Sequence, residues 1–119
     1  MIENNVLKEK SLTFAINVIN CCKYLQEKNE KVMSKQLLRS GTSIGANIHE
    51  SIYAQSKADF VSKLSISMKE ASETSYWLTI LYRTGYINEN LFQSLKRDLD
   101  EIIRIIISSI KTSKKNAEK

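Results

Sequence analysis

Apolar residues recur at helical spacing in four stretches of the chain, separated by short polar turns. In each stretch they step by three and four residues, which places them on one face of a helix. The faces of the first, third and fourth stretches comprise Leu7, Ser11, Phe14, Val18, Cys21 and Leu25; Phe60, Leu64, Ser67, Ala71, Thr74, Leu78 and Leu81; and Leu95, Leu99, Ile102, Ile106 and Ile110. The first face is widened by Ala15, Ile16, Ile19 and Cys22. We predict helices at about residues 5–28, 31–54, 57–84 and 88–112.

Capping residues mark the predicted helix ends. Asn29 tolerates the left-handed conformation that often ends a helix, and Gly85 adopts it without strain. Ser56 followed by Asp59 resembles a capping box, with aspartate in place of the usual glutamate, and starts the third helix. Asn88 is the predicted N-cap of the fourth helix. These ends leave connections of about two to five residues.

The predicted fold is an all-α, up-down-up-down four-helix bundle, because four long helices with short connections favour that arrangement. The chain has 119 residues, no proline and only three glycines, so it suits one uninterrupted helical domain. Residues 112–116 have no apolar side chain that would continue the pattern. We therefore expect residues 113–119 to form a frayed basic tail.

On the predicted second helix, a polar stripe runs beside an apolar one. Ser40, Ser43, Asn47 and Glu50 follow a 3-4-3 step. The neighbouring apolar stripe comprises Leu37, Gly41, Ile44, Ile48 and Ile52. Unpaired buried polar groups cost about 1–3 kcal/mol each, so the polar stripe needs partners on another helix, and residues 69–77 supply candidates. The predicted structural polar network comprises Arg39, Ser43, Asn47, Glu50, Glu70, Glu73 and Trp77.

We expect Arg39 to pair with Glu70 or Glu73 across the contact between the second and third helices. If that pair is buried, removing one partner leaves an unpaired charge and destabilises the fold strongly. The constellation has two interpretations: a ligand or partner pocket between the helices, or a buried network that fixes their register. We favour the second, because both charge signs and amide groups are present to satisfy one another.

Glycines inside the second helix indicate close packing. Gly41 and Gly45 lie four residues apart on one face. Glycine within a helix costs up to about 1 kcal/mol relative to alanine, so a compensating reason is expected. Close approach of a neighbouring helix backbone supplies it.

Three blocks of the sequence carry a resemblance to a known family. They are Arg39-Ser40-Gly41-x-Ser43-Ile44-Gly45-Ala46-Asn47-x-x-Glu50, Ser56-x-x-Asp59-Phe60 and Lys69-Glu70-Ala71-x-Glu73-Thr74-x-x-Trp77-Leu78. The chain resembles the small four-helix-bundle proteins encoded within intervening sequences of bacterial 23S rRNA genes. The same family includes the accessory protein of diversity-generating retroelements. The resemblance spans nearly the whole chain and implies a four-helix bundle.

The fourth helix has an unusually wide apolar surface. Of the six residues 102–107, only Arg104 is not isoleucine. The helix is either deeply buried in the monomer or part of a contact between copies, and we favour self-association because a four-helix bundle encloses no helix fully. The candidate contact residues are Ile103, Ile105 and Ile107. The resemblance implies a ring-like homo-oligomer, and specifically a pentamer.

The chain is basic, with a net charge of +5 and a pI near 9.2. The candidate nucleic-acid-binding residues are Lys96, Arg97, Arg104, Lys111, Lys114 and Lys115. In a monomer, acidic neighbours favour solvated surface charge over phosphate contact. Five copies of a +5 chain would instead carry about 25 positive charges, which favours multivalent phosphate binding. The resemblance also implies partners, because the retroelement relative is a basic barrel that engages nucleic acid and a reverse transcriptase.

The pattern of titratable residues argues against catalysis and metal binding. Glu70-x-x-Glu73 is not followed by the histidine of a di-iron site. Arg39 and His49 are separated by nine residues, so the ribonuclease motif with a shorter Arg-to-His spacing is absent. A single histidine and no nucleophile-elbow motif disfavour a serine triad. We predict no enzymatic activity, no cofactor and no metal.

The cysteines and the hydropathy of the chain bear on the cellular location of the protein. Cys21 and Cys22 are adjacent on a predicted helix, point about 100° apart and do not readily bridge each other, so small core residues are favoured over redox or metal thiols. No apolar run approaches the roughly 20 residues of a membrane span, and the N-terminus has no signal-peptide pattern. We predict a cytoplasmic protein without membrane contact that binds RNA or DNA with little sequence specificity. The alternative is a protein–protein interaction scaffold without direct nucleic-acid contact.

Overall fold

The computed structural model describes residues 2–117, and side chains from residue 6 to residue 116. Helices form throughout this part of the chain, without strands. They are α1 (Ile2–Glu27), α2 (Val32–Ile52), α3 (Lys57–Arg83) and α4 (Glu89–Ala117). The predicted all-α, four-helix fold is confirmed.

Each helix packs against the next one along the chain, and α4 packs back onto α1. The predicted apolar faces meet between them in one core cluster. Its members are Leu7, Phe14, Val18, Cys21, Cys22, Leu25, Leu37, Ile44, Ile48, Leu64, Ala71, Leu78, Leu81, Ile87, Leu95, Leu99, Ile102 and Ile106. Two of the four residues expected to widen the α1 face differ from the prediction, since Ile16 and Ile19 are 50% and 37% exposed and lie outside this cluster.

With one exception, the capping residues act as the sequence predicts. Asn29 and Gly85 adopt positive φ angles of 63° and 83°. Ser56 Oγ accepts a hydrogen bond from the backbone N–H of Asp59 at 3.0 Å at the start of α3, whereas the Asp59 carboxylate accepts from the backbone N–H of Gln55 at 3.3 Å and does not close the predicted capping box. Asn88 Oδ1 accepts a hydrogen bond from the backbone N–H three residues later, at 2.8 Å. These local bonds satisfy helix-terminal donors that would otherwise lack partners.

The C-terminal end of α4 differs from the prediction. The helix continues to Ala117, so the frayed tail expected from residue 113 is wrong for residues 113–117; residues 118–119 lie outside the described residues. Lysine and alanine are good helix formers, and Lys114 and Lys115 lie in the last turn, where positive charges interact favourably with the helix dipole. Ser113 is half-buried, so the helix also keeps some packing beyond its apolar core.

The middles of α2 and α3 are small and polar, and they pack together. Ser67 Oγ donates a hydrogen bond to the backbone oxygen of Ile44 at 2.8 Å. Thr74 Oγ1 lies 2.9 Å from Ser40 Oγ. These three hydroxyl-bearing residues are fully buried, so their pairing avoids a desolvation cost and fixes the register of the two helices.

Close packing of α1 on α2 explains the two helical glycines. A Cβ atom at Gly41 would lie 2.8 Å from Val18 Cγ1, which is too close for two carbon atoms. A Cβ atom at Gly45 would lie 3.4 Å from the backbone oxygen and Oγ of Ser11, an ordinary contact distance. Of these two positions, only position 41 therefore requires glycine for steric reasons.

This difference gives a matched pair of substitutions. We expect Gly41→Ala to lower the free energy of unfolding, because strain of about 1–3 kcal/mol against the stiff, buried Val18 exceeds the gain in helix propensity. We expect Gly45→Ala to be neutral or to raise the free energy of unfolding by up to about 1 kcal/mol. Urea denaturation of both variants measures the difference. Equal effects of the two substitutions would contradict the packing argument.

Candidate functional site

A polar cluster joins α2 and α3 on the surface of the bundle. Arg39 Nη2 lies 2.6 Å from Glu73 Oε1, and Arg39 Nη1 lies 3.4 Å from Glu70 Oε2. Trp77 Nε1 donates a hydrogen bond to the same Glu73 oxygen at 3.2 Å. The predicted pairing of Arg39 with Glu70 or Glu73 is therefore present, and it involves both carboxylates.

The pair is not buried, so the prediction that loss of one partner would strongly destabilise the fold does not apply. The Arg39 side chain is 53% exposed, because the polar stripe of α2 lies at the edge of the α2–α3 contact. Exposed ion pairs contribute little to stability, since water screens them. The hydroxyls buried at the α2–α3 contact include those of Ser40, Ser67 and Thr74, which the predicted network omitted.

The remaining members of the predicted network do not join this cluster. Ser43 Oγ donates to the backbone oxygen of Arg39 at 2.6 Å, and Asn47 Nδ2 donates to the backbone oxygen of Ser43 at 2.8 Å. Both bonds stay within α2, as is common for short polar side chains on helices. Glu50 lies 3.9 Å from Lys63 of α3. The predicted network is therefore several separate contacts.

The Arg39 contact has a measurable electrostatic consequence. Its hydrogen bond, and next that of Trp77, lowers the pKa of Glu73. A carboxyl group with a lowered pKa in the folded state stabilises the fold at neutral pH, and this contribution is lost as the pH falls through the folded pKa. We expect Arg39→Met to raise the pKa of Glu73 in an NMR titration, without restoring its ordinary value because Trp77 still donates. Lys63→Met is the matched control, and an equal rise there would contradict the assignment.

Four basic residues form a stripe on the outer side of α4, away from the core. Arg97, Arg104, Lys111 and Lys115 follow a 7-7-4 step and are all exposed. At about 1.5 Å per residue, the stripe is about 27 Å long. We call these four residues the α4 basic stripe. The other two candidates differ: Lys114 is turned roughly 100° from Lys115 around the helix, and Lys96 is half-buried.

Two acidic residues near the stripe, Asp100 and Glu101, have partners of their own. Asp100 lies 3.0 Å from Lys96, and Glu101 lies 2.7 Å from Lys10 of α1. The hydrogen bond from Lys10 lowers the pKa of Glu101, and the charge of Arg104 contributes less. Among the side chains that the structure describes, none of the four stripe residues has a carboxylate within 4 Å. The stripe therefore keeps its positive charge available.

The family model for 23S rRNA-intervening sequence proteins matches residues 3–108. The chain belongs to this family. The crystal structure of a Bacteroides thetaiotaomicron protein of unknown function from the S23 ribosomal protein family has a similar fold, with a TM-score of 0.90. It is 55% identical, and the match covers 92% of this chain and 98% of that chain. No curated protein matches the sequence.

Some of the candidate residues lie inside the region that matches the family model, and others follow it. It includes the Arg39 cluster and two residues of the α4 basic stripe, Arg97 and Arg104. Lys111 and Lys115 follow the matched region. The intervening-sequence family model therefore covers the first half of the stripe, and this chain continues it along the same face of α4.

In this 23S rRNA-intervening sequence protein, the exposed apolar surface is larger on α1 than the sequence suggested. Leu12, Ile16 and Ile19 follow a 4-3 step and are 53%, 50% and 37% exposed. On α4, Ile103 and Ile105 are partly buried against the core, and only Ile107 counts as exposed, at 37%. We call Leu12, Ile16 and Ile19 the α1 apolar face. Their 4-3 step was a usable signal in the sequence.

The two cysteine thiols lie in the interior of this family member. Cys21 and Cys22 are buried in the core, and burial raises the pKa of Cys21 to about 11. The Cys22 thiol donates to the backbone oxygen of Ser34 at 3.3 Å. The described residues include no group of three metal-ligating side chains. Among the same residues, no helix has the length and apolar character needed to span a membrane.

Proposed function

We propose that this protein is a non-enzymatic, cytoplasmic, homo-oligomeric accessory protein that binds RNA or DNA with little sequence specificity. The α4 basic stripe is the observation that carries the proposal. Its guanidinium and ammonium groups are exposed, regularly spaced and without a close carboxylate among the described side chains. Such groups bind phosphates whatever the base sequence, because every nucleotide presents the same charge.

The spacing of the stripe suits a nucleic-acid backbone. Residues seven apart on a helix are separated by about 10.5 Å. Arginine and lysine side chains are long and flexible, so successive stripe residues can contact different phosphates of the same strand. An exposed helix side that carries a row of charges therefore tracks a strand without reading its bases.

We also propose that the bundle has up-down-up-down topology and forms a ring-like homo-oligomer, most simply a pentamer. Short connections and the packing of each helix on its sequence neighbour support the topology. The α1 apolar face supports self-association, because exposed apolar residues in a continuous row favour an interface. Assembly multiplies the stripe, and several weak contacts on one particle bind a polyanion more tightly than one.

The α1 apolar face also supports the alternative function, a protein–protein interaction scaffold without direct nucleic-acid contact. Another polypeptide, such as a reverse transcriptase, would then cover that face. In this case the α4 basic stripe is solvated surface charge. The two functions differ in a simple observable, which is the binding of free nucleic acid by the purified chain.

Fluorescence anisotropy with labelled RNA and DNA of several sequences tests the proposal. We expect binding at about 50 mM salt that falls steeply as salt rises and varies little among sequences. The slope of log affinity against log salt reports the number of phosphate contacts, about 0.7–0.9 for each. An absence of binding to RNA and DNA with micromolar protein would reject the proposal and favour the scaffold.

A further inference from the structure

A small cleft lies between α1 and α4, beside the first residue of the α4 basic stripe. Its volume is about 300 Å³, and its lining includes Asn17, Asn20 and Tyr24 of α1 with Leu91 and Ser94 of α4. This volume lies at the lower end of clefts that hold small ligands, about 300–1,000 Å³. The cleft thus combines an aromatic ring, two amides, a hydroxyl and an apolar contact in a space suited to one planar group.

Tyr24 supplies the aromatic surface of the cleft. Its side chain is 38% exposed, although the residue lies on the same helix as the core cysteines. Lys28 Nζ lies 4.5 Å from the centre of the ring, a cation–π distance that holds the ring and adds positive charge beside the cleft. Bases of single-stranded nucleic acids stack on such aromatic rings regardless of sequence.

The two amides supply polar contacts at the cleft wall. Among the described residues, the side chains of Asn17 and Asn20 make no hydrogen bond within the chain. An amide carries both a donor and an acceptor, so it can pair with the edge of a nucleobase in more than one orientation. Amides that are free to bond a ligand therefore favour a polar, planar group over an apolar one.

The cleft lies next to the α4 basic stripe. Ser94 precedes Arg97 by three residues, and side chains three apart on a helix are neighbours. Glu89 and Asp98 are the carboxylates nearest in sequence to the α4 side of the cleft, and Asp98 lines a second α1–α4 cleft together with Lys10. A strand whose phosphates contact Arg97 and Arg104 would thus place its neighbouring base at the cleft.

We infer that the α1–α4 cleft holds one unstacked nucleobase of a single-stranded RNA or DNA, with Tyr24 stacking on it and Asn17 and Asn20 bonding its edge. This inference rests on the proposed function and narrows it to single strands. In a duplex, each base is stacked and paired and is not free to enter a cleft. The amides tolerate several base edges, so the cleft adds affinity without strict sequence choice.

The test compares two single-stranded oligonucleotides of about 15 nucleotides and equal charge, one normal and one with abasic positions throughout. Fluorescence anisotropy gives their affinities for the wild-type chain, Tyr24→Ala and Tyr24→Phe. We expect Tyr24→Ala to weaken binding of the normal strand by about fivefold to 100-fold and to leave the abasic strand unchanged. Tyr24→Phe should retain the wild-type affinity, because its ring still stacks.

Tyr53→Ala is the matched control, since Tyr53 is a tyrosine at the end of α2 that is 71% exposed and does not line the cleft. We expect it to bind both strands as the wild type does. Equal weakening of both strands by Tyr24→Ala, or no weakening of the normal strand, would overturn the cleft inference alone. Equal binding of both strands by the wild type would do the same. Binding of neither strand by the wild type would overturn the proposed function as well.

Discussion

Replacing Arg97, Arg104 and Lys111 together by glutamine is expected to weaken nucleic-acid binding by about 100-fold to 1,000-fold at about 50 mM salt. Each of the three residues is exposed and, among the described side chains, none has a carboxylate within 4 Å. Their loss therefore removes phosphate contacts without removing packing. The salt slope should fall by about 2–3 for each chain that contacts the strand, because each lost contact removes about 0.7–0.9.

The matched control removes the same charge elsewhere. Lys35, Lys57 and Lys69 are exposed lysines on α2 and α3, and their replacement by glutamine also lowers the net charge by three. We expect this variant to keep most of the affinity and nearly the whole salt slope. An equal loss in both variants would mean that binding depends on net charge alone, and the α4 basic stripe would then have no special part in it.

The second large effect concerns assembly. We expect Ile16→Asp to convert the homo-oligomer, about 68 kDa for five copies of the 13.6 kDa chain, into monomers. Ile16 is 50% exposed at the centre of the α1 apolar face, so the new charge costs little in the monomer. In an interface it would lie unpaired in an apolar surrounding, which is strongly unfavourable. Light scattering after size-exclusion chromatography measures the mass.

Two control substitutions test whether the effect is specific to the α1 apolar face. Ile66→Asp changes a 40% exposed isoleucine on α3 and should leave the mass unchanged. Ile107→Asp tests the α4 contact that the sequence suggested, and its mass should also stay near that of the wild type. A monomeric Ile107→Asp beside an oligomeric Ile16→Asp would move the interface to α4. A monomeric wild type would reject self-association.

The helix pattern and the caps were predictable because their signals are local. Ser56, Asn88 and Gly85 act through hydrogen bonds or φ angles within a few residues of themselves. The pairing of Arg39 with Glu73 was also predictable, because helical spacing places both beside the same contact. Such features need only the period of the helix and the types of the residues.

Burial was harder to predict than position. Spacing placed Ser43 and Asn47 on the polar stripe, but their side chains bond to carbonyl oxygens of their own helix and need no partner on α3. Ser40 and Thr74 are instead the buried pair. Which side of a polar stripe becomes buried depends on how closely the two helices approach. That distance is set by packing between helices and cannot be taken from the spacing of residues on one helix.

The position of the exposed apolar surface was also hard to predict from the sequence. The sequence placed it on α4, where five isoleucines occur in six residues, yet Ile103 and Ile105 pack against the core. On α1, Ile16 was expected to widen the core face and is instead half exposed. A periodic pattern gives the centre of an apolar face but not its width, because the width depends on the neighbouring helices.

The most direct test of the central claim maps where nucleic acid touches the chain. Lysine acetylation followed by mass spectrometry compares the reactivity of each lysine with and without a bound single strand at low salt. The proposal predicts that Lys111 and Lys115 are protected in the complex, while Lys57 and Lys69 react as they do in the free protein. Protection confined to the lysines of α2 and α3, with Lys111 and Lys115 unchanged, would contradict nucleic-acid binding by the α4 basic stripe.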